Sequence, residues 1–408
     1  MPIDTGDTAW IIVSTGLVFL MIGGVGFLEA GLIRAKNASG IIMKVLFTAV
    51  IGLIAWFILG FTIAFGNTNG WIGALDYIAL NNVTTEPLFS NHTIPGYLFF
   101  IYQGMFAAIT VALITGGLAE RMRFGPWLVF IPIWIVLIYA PLANWVWGGG
   151  WLAKVGVLDF AGGIVVHLSA AFGSLASALI LGRRIGFGTP SVMSGHNVTY
   201  QFLALFLLWF GWNGFNGGSA LAANGIAVSA MVATNLAAAG AGLSTILAGW
   251  AVTKKPSASL GANGPIAGLA AVTPASGYIE PWAGLVIGLI AGVVFYVGVL
   301  FFKDRLKVDD VCDVISIHGM TCVWGTMSVA IFASPMITND AAVGLVYGST
   351  SLVGVQALGT VVGASFGFVG TYVLLRIINA VKPIRVNPEE EEIGEDVSLH
   401  GEKSYNIT

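Results

Sequence analysis

"DFAGGIVVH" at residues 159–167 and "DVCDVISIH" at residues 310–318 are the two stretches from which the fold can be read. Each starts on an aspartate, continues through mainly apolar residues and places a histidine eight positions on. Both lie in runs apolar enough to sit in lipid, where a charge at a helix centre costs roughly 2.5 kcal/mol or more. Ionisable residues in such a place need a reason, and the rest of the chain supplies it.

Of the 408 residues, 57% are hydrophobic and only 9% charged, against about 25% charged in a soluble domain. The 55 glycines fit transmembrane helices, where small residues let backbones approach. The composition predicts a polytopic membrane protein and excludes a soluble enzyme or a basic nucleic-acid binder. The net charge of −3 carries little information, because charge is sorted by side of the membrane. Cys312 and Cys322 share one apolar segment; ten residues of helix would hold them about 15 Å apart, beyond disulfide reach. The start, "MPIDTGDTAW", is acidic without a basic flank, so no cleavable signal is expected.

Apolar runs of about 17–25 residues fall near 9–33, 40–66, 96–118, 125–143, 160–182, 196–218, 225–252, 262–278, 282–302, 311–333 and 344–377. The expectation is therefore an all-α membrane protein of eleven spans, the eighth short and carrying two prolines. Basic residues test that count. Arg34 and Lys36, Arg121 and Arg123, Arg183 and Arg184, Lys254 and Lys255, the group Lys303, Arg305 and Lys307, and lastly Arg376, Lys382 and Arg385 occupy every second gap. The intervening gaps hold Lys154 alone. The positive-inside rule then puts the N-terminus outside and the C-terminus inside, as an odd number of spans requires. The outer loop 67–95 is polar and aromatic, with neither Lys nor Arg. The tail from Asn387 is acidic and polar and reads as a solvated, cytosolic segment or a docking surface.

With this topology the two opening stretches sit in spans five and ten, which run in opposite directions. Asp159 belongs at the outer face and Asp310 at the inner. Eight residues of helix advance about 12 Å, nearly half of a ~30 Å hydrocarbon core, so His167 and His318 reach the midplane from opposite sides. An inverted repeat of spans 1–5 and 6–10, with its site at the repeat interface, has this form. A lone membrane histidine could simply bond between helices. Two at matched depth argue for a pathway, where neutral imidazoles, each with one donor and one acceptor nitrogen, pass a small polar molecule or a proton.

A second cluster is aromatic: "NWVWGGGW" (144–151), "WFGWNGFNGGS" (209–219) and "YQGMFAAIT" (102–110). Most of the tryptophans suit an interfacial belt. Trp147 and Phe215 differ in having glycine neighbours that let a ring crowd a narrow passage. Aromatic faces with a hydroxyl such as Ser219 attract a small cation, by roughly 0.5–2 kcal/mol. Glu29, near the inner end of span one, is expected to bond or ion-pair between helices.

These motifs, together with "DFAGGIVVHLSAAFGSLASALILGRR" (159–184), "FLEAGLIRAKN" (27–37), "VDDVCDVISIHGM" (308–320) and the tail "GEDVSLHGEKSY", resemble the ammonium transporter (Amt/Rh) family, and its Amt branch more than the Rh branch. The likeness covers nearly the whole chain. It implies eleven helices, a pore in each subunit and a homotrimer, with a transport domain over 1–386 and a cytosolic regulatory tail over 387–408. It implies that Trp147, Ser219 and Phe106 recruit ammonium, that Phe106 and Phe215 stack as the gate, and that His167 and His318 line the pore. Asp159 would support the recruitment site without touching the ion. Tyr102 is read as a neighbouring pore position. The implied function is an ammonium transporter or channel that deprotonates NH4+ and conducts ammonia, with or without the proton. No cofactor or metal is implied; the partners are ammonium, membrane lipid and a cytosolic PII-type signalling protein, with no nucleic acid. Two rivals remain from other classes. One is an ammonium sensor signalling through the tail. The other is an intramembrane metalloenzyme, which would want a third ligand that His92, His196 and His400, in or near loops, do not supply.

Overall fold

Buried backbone in lipid must satisfy its own hydrogen bonds, which leaves helices as the solution for apolar runs of this length. The computed structural model describes residues 1–405, and among these the chain is helical, with three isolated β-bridges in its connections. Nine helical stretches are long and apolar enough to cross a membrane. In chain order we name α1 (Thr5–Leu32), α2 (Ala35–Phe65), α3 (Gly96–Leu118), α4 (Phe124–Trp134 continued through Ala140–Val146) and α5 (Gly163–Leu181). Then follow α6 (Val198–Gly218), α7 (Gly225–Thr253), α8 (Ala258–Val272), α9 (Pro281–Arg305), α10 (Ile315–Phe332) and α11 (Ser351–Val381). Helices α6 and α8 fall outside the nine: Trp, Asn and Gly dilute the second half of α6, and α8 has 15 residues.

The two halves pack alike. Helix α1 lies along α6; α1 also meets α2 and α3, as α6 meets α7 and α8. Helix α3 rests on α5 as α8 rests on α10, while α11 lies across both α5 and α10. Close approach is allowed by glycine where α8 and α9 cross α7. A Cβ on Gly268 or Gly288 would collide with the carbonyl oxygen of Ala237.

Three expectations are corrected. Spans five and ten do not begin at their aspartates. Residues 159–162 and 310–313 are turns, and helix starts only at Gly163 and near Ile315, so the straight eight-residue rise does not apply. The last span begins at Ser351 and not near 344, because residues 345–347 make a separate short turn of 3-10 helix. The tail is not solvated throughout: one face is docked and the other, with Ile393 and Val397, stays exposed. Two short helices, α12 (Pro388–Ile393) and α13 (Glu395–His400), fold back on the end of the bundle that carries the basic loops. Glu391, Glu395 and Asp396 are each at most 2% exposed there.

That basic end is held by charges that find partners across the chain. Arg34 and Arg184 both reach Glu120, at 2.6 and 3.2 Å, and Arg184 also meets Asp309 at 2.8 Å. Burial pushes the Glu120 carboxyl up, but Arg184 and Arg34 outweigh it and hold it below the usual carboxylate range. The tail joins through Arg123–Glu390 at 2.7 Å, Arg385–Glu391 at 2.8 Å and Lys44–Glu395 at 2.5 Å. Asp396 accepts the Gly40 N–H at 2.8 Å, and the Tyr405 hydroxyl lies 2.8 Å from His196 Nε2. Breaking one side of a buried pair costs about 3–5 kcal/mol, whereas replacing both sides by apolar groups is often neutral. Lys44→Met should therefore free the tail and make the 387–405 segment sensitive to limited proteolysis, and Lys44→Met with Glu395→Leu should restore protection. A tail equally protected in the single variant would show that the pair does not hold it.

Candidate functional site

The site grows from the two turns. At 159–162 the chain reverses through Gly162, whose φ of 113° a side chain would strain. This turn swings the Asp159 carboxylate onto the start of α5. Its two oxygens accept the backbone N–H groups of Gly162, Gly163, Ile164 and Val165, at 2.9, 2.6, 2.8 and 3.1 Å. A helix start has N–H groups without intrahelical acceptors and a positive dipole end; one buried carboxylate satisfies both. Asp310 plays the matching part before α10, accepting the Ile315 N–H at 2.7 Å.

Each histidine follows on a π-helical turn, Gly163–Leu168 and Ile315–Met320, a local widening common at functional positions. The turns face one another. His167 Nδ1 and His318 Nδ1 are 3.2 Å apart, with ring centroids at 5.0 Å and planes within 15°. Two nitrogens sharing one hydrogen bond need one donor and one acceptor, so at least one ring is neutral. His167 Nε2 is buried with no protein partner. Trp212 stacks on His167 at 5.5 Å, and its own N–H goes to Thr273 Oγ1 at 2.9 Å.

Phe215 lies 5.8 Å from His167 on one side and 4.3 Å from Phe106 on the other. This ring pair separates two cavities. On the histidine side is a narrow space of about 30 Å³, walled by Met21, Val25, Leu113 and Ile317 among others, with room for about one or two water-sized molecules. On the other side, at the end opposite the basic loops, is a vestibule of about 570 Å³ lined by Phe106, Trp147, Phe160 and Ser219. Trp147 meets Phe106 edge to face at 6.4 Å and donates its N–H to the Asp159 carbonyl at 2.8 Å. The Ser219 hydroxyl donates to Phe215 O at 2.8 Å and lies 3.5 Å from the Tyr102 hydroxyl, which leaves it a lone pair with which to accept.

The structure thus brings Phe106, Trp147 and Ser219 to the vestibule wall, sets Phe215 behind Phe106, and sets His167 and His318 beyond it. Tyr102 is not a pore position. Its hydroxyl turns back to the Gly214 carbonyl at 3.0 Å, and its ring supports Phe106 from behind at 5.0 Å. Glu29 accepts from Thr115 Oγ1 at 2.6 Å across the α1–α3 contact, and it also borders the histidine cavity. Sequence reasoning missed Gln103, Trp212 and the loop residues Asn67, Thr68 and His92. Gln103 and Trp212 stand three positions before Phe106 and Phe215, on the same helix faces, which was a readable signal. The loop folds over the vestibule by non-local contacts and left none.

Fold and site together define an all-helical, multi-pass membrane protein with two cavities meeting at a ring pair above a histidine pair. The chain belongs to the ammonium transporter family: the model of the Ammonium Transporter Family matches residues 9–405. It is 42% identical over 402 residues to the ammonium transporter Amt1 of Archaeoglobus fulgidus, covering 98% of this chain and 99% of the relative. It is 41% identical to an ammonium transporter of Bacillus subtilis, covering 98% of each. The crystal structure of Saccharomyces cerevisiae Mep2 superposes with a TM-score of 0.90 at 35% identity, covering 100% of this chain and 94% of that one. A structure described as a sensor Amt protein superposes with a TM-score of 0.90 at 34% identity, covering 96% and 98%. Membership makes ammonium the substrate and its transport the task.

Proposed function

We propose that the chain moves ammonium by recruiting the cation in the vestibule, removing its charge there, and passing ammonia between Phe106 and Phe215 to the His167–His318 pair. The observation that carries this reading is the hydrogen-bonded histidine pair, with one orphaned nitrogen, in a narrow cavity of otherwise mostly apolar walls. Such a space cannot rehydrate an ion. It can offer hydrogen bonds to a small neutral molecule, and an unpaired polar guest in an apolar setting would otherwise cost roughly 2–7 kcal/mol. In the vestibule, ring faces and the Ser219 oxygen concentrate a small cation, and the space is large enough for water to take the departing proton. Potassium is similar in size to ammonium but has no proton to give up, so it stops at the ring pair. Asp159 acts on Trp147 and on α5 and makes no contact with the ion.

The arrangement in the cell follows from the same reading. The basic end faces the cytoplasm by the positive-inside rule, with the N-terminus outside and the vestibule opening outward across the cell membrane. The matched packing of the halves supports an inverted repeat of spans 1–5 and 6–10, within a transport domain over 1–386 that assembles as a homotrimer. Residues 387–408 form the regulatory segment, and a PII-type signalling protein is the expected partner at that face. Purified protein in liposomes should take up ammonium with saturable kinetics. Binding of ammonium without uptake would instead make the chain a sensor.

A further inference from the structure

One ionisable residue of the histidine cavity has no part in the passage described above. Glu29 lines that cavity together with His167 and His318. Helix α1 shows where. Its lining residues are Met21, Val25, Leu28 and Glu29, one face of the helix over eight positions, so the cavity follows α1 for about 12 Å. Phe215 bounds it on the vestibule side. Glu29 stands at the other end, three residues before α1 stops at Leu32 among the basic loops.

Gly116 of α3 makes the floor at that end. A Cβ on it would collide with Val314 and Cys312 and come within 3.1 Å of Glu29 Oε1, so glycine leaves the room in which these groups converge. Val314 and Cys312 line the cavity too. The other carboxyl oxygen, Oε2, is 2.6 Å from Thr115 Oγ1, whose hydroxyl also reaches Ala112 O. A hydroxyl has one proton and two lone pairs. Given to Oε2, that proton holds an ionised carboxylate. Given to Ala112 O, it leaves a bond to Glu29 only if the carboxyl carries a proton of its own. Thr115 thus holds Glu29 in place in both states. Oε1 receives no side-chain donor among the described residues and stays open to the cavity.

We propose that Glu29 is the proton donor at the cytoplasmic end of the passage. Ammonia arriving from His318 takes the carboxyl proton: the O–H bond breaks, an N–H bond forms, and ammonium leaves. The carboxylate, held by Thr115, regains a proton from hydronium on the cytosolic side, releasing water. The proposal rests on the reading that the guest passes Phe106 and Phe215 as neutral ammonia. An amine-type nitrogen is a far stronger base than a carboxylate, so the transfer runs toward ammonium. The other ionisable groups around Glu29 are engaged elsewhere or lie on the same floor. His167 and His318 bond to each other, Asp310 in the turn before α10 accepts the Ile315 N–H, and Lys44 on α2 pairs with Glu395. Lys303 on α9 pairs with Asp313, and the Cys312 thiol shares the floor. Helices α3, α6 and α8 bring no charged residue. Each turnover needs the carboxyl reloaded, so the rate falls as the cytosolic pH rises.

The test is the initial rate of ammonium uptake by the full chain in proteoliposomes, with ammonium chloride as the probe and the pH on the side of the basic loops varied. Glu29→Gln keeps the shape and an acceptor for Thr115 but has no acid proton. It should lower the maximal rate about tenfold or more, the low side of what a positioned acid supplies, with the KM kept within about twofold. It should also flatten the pH profile, which in the wild type falls as this pH rises. A wild-type maximal rate in Glu29→Gln, or a pH profile unchanged from the wild type, overturns the proposal. Should Glu29→Gln fail to fold, Glu29→Asp decides, since it keeps a carboxyl of different acidity: a displaced midpoint supports the exchange, and a midpoint identical to the wild type overturns it. Rubidium uptake separates the two readings. Rubidium excluded while Glu29→Gln runs at the wild-type rate sinks the exchange alone; rubidium entering at a rate comparable to ammonium sinks the neutral passage and the exchange with it.

Discussion

Replacing both histidines, His167→Ala with His318→Ala, should abolish ammonium-specific flux, by on the order of a hundredfold, in protein that still folds. The argument is one of solvation. Beyond Phe215 the guest meets mainly Met21, Val25, Leu28, Ile109, Leu113, Val166 and Ile317, none of which offers a hydrogen bond from its side chain; of the polar lining, Glu29 is bonded to Thr115 and the Trp212 N–H to Thr273. With both rings gone, ammonia crosses that stretch nearly unpaired. A penalty of about 3 kcal/mol, low in the range for an unmatched polar group, is roughly a hundredfold in rate. If water instead fills the space the rings vacate, other monovalent cations cross too. Ammonium-specific flux, measured as ammonium uptake in excess of rubidium uptake, disappears by either route. An unchanged difference would reduce the histidine pair to packing.

Removing the Asp159 carboxylate should be the other large effect, and a different one in kind. Asp159→Ala leaves the N–H groups of Gly162, Gly163, Ile164 and Val165 buried without acceptors. At about 1–3 kcal/mol for each buried group left unsatisfied, the loss is about 4 kcal/mol or more, and the start of α5 and the seat of Trp147 go with it. We expect a large drop in the melting temperature in detergent and loss of flux in parallel with loss of folded protein. Asp159→Asn keeps one oxygen and should fall between the two. An Asp159→Ala protein that melts like the wild type but binds ammonium poorly would mean that this carboxylate touches the ion.

Much of this architecture was legible because lipid imposes a strict code. Long apolar runs and the alternation of basic gaps place most span ends to within a few residues, the late start of the last at Ser351 and the early end of the eighth at Val272 apart, and the spacing of aspartate and histidine in two antiparallel segments anticipates the meeting of His167 and His318. What escaped was set by local stereochemistry or by distant partners. Asp159 and Asp310 were read as the first turn of a helix, although an aspartate immediately ahead of an apolar run is also a capping signal, and the polypeptide uses it so. The acid run of the tail has one near counter-charge, Arg385, which pairs with Glu391; Lys44 and Arg123 reach it only after folding. Tyr102 shows the limit of a helix-face argument. It neighbours the pore in sequence, yet its hydroxyl is drawn away by the carbonyls of α6.

The central claim is that only a guest able to shed its charge crosses beyond Phe106 and Phe215. The most direct measurement compares ammonium and radioactive rubidium uptake into the same proteoliposomes, since rubidium stands in for potassium and cannot lose a proton. The account predicts saturable ammonium uptake with rubidium at the level of protein-free liposomes, even when rubidium is in large excess. Rubidium entering at a rate comparable to ammonium would contradict it.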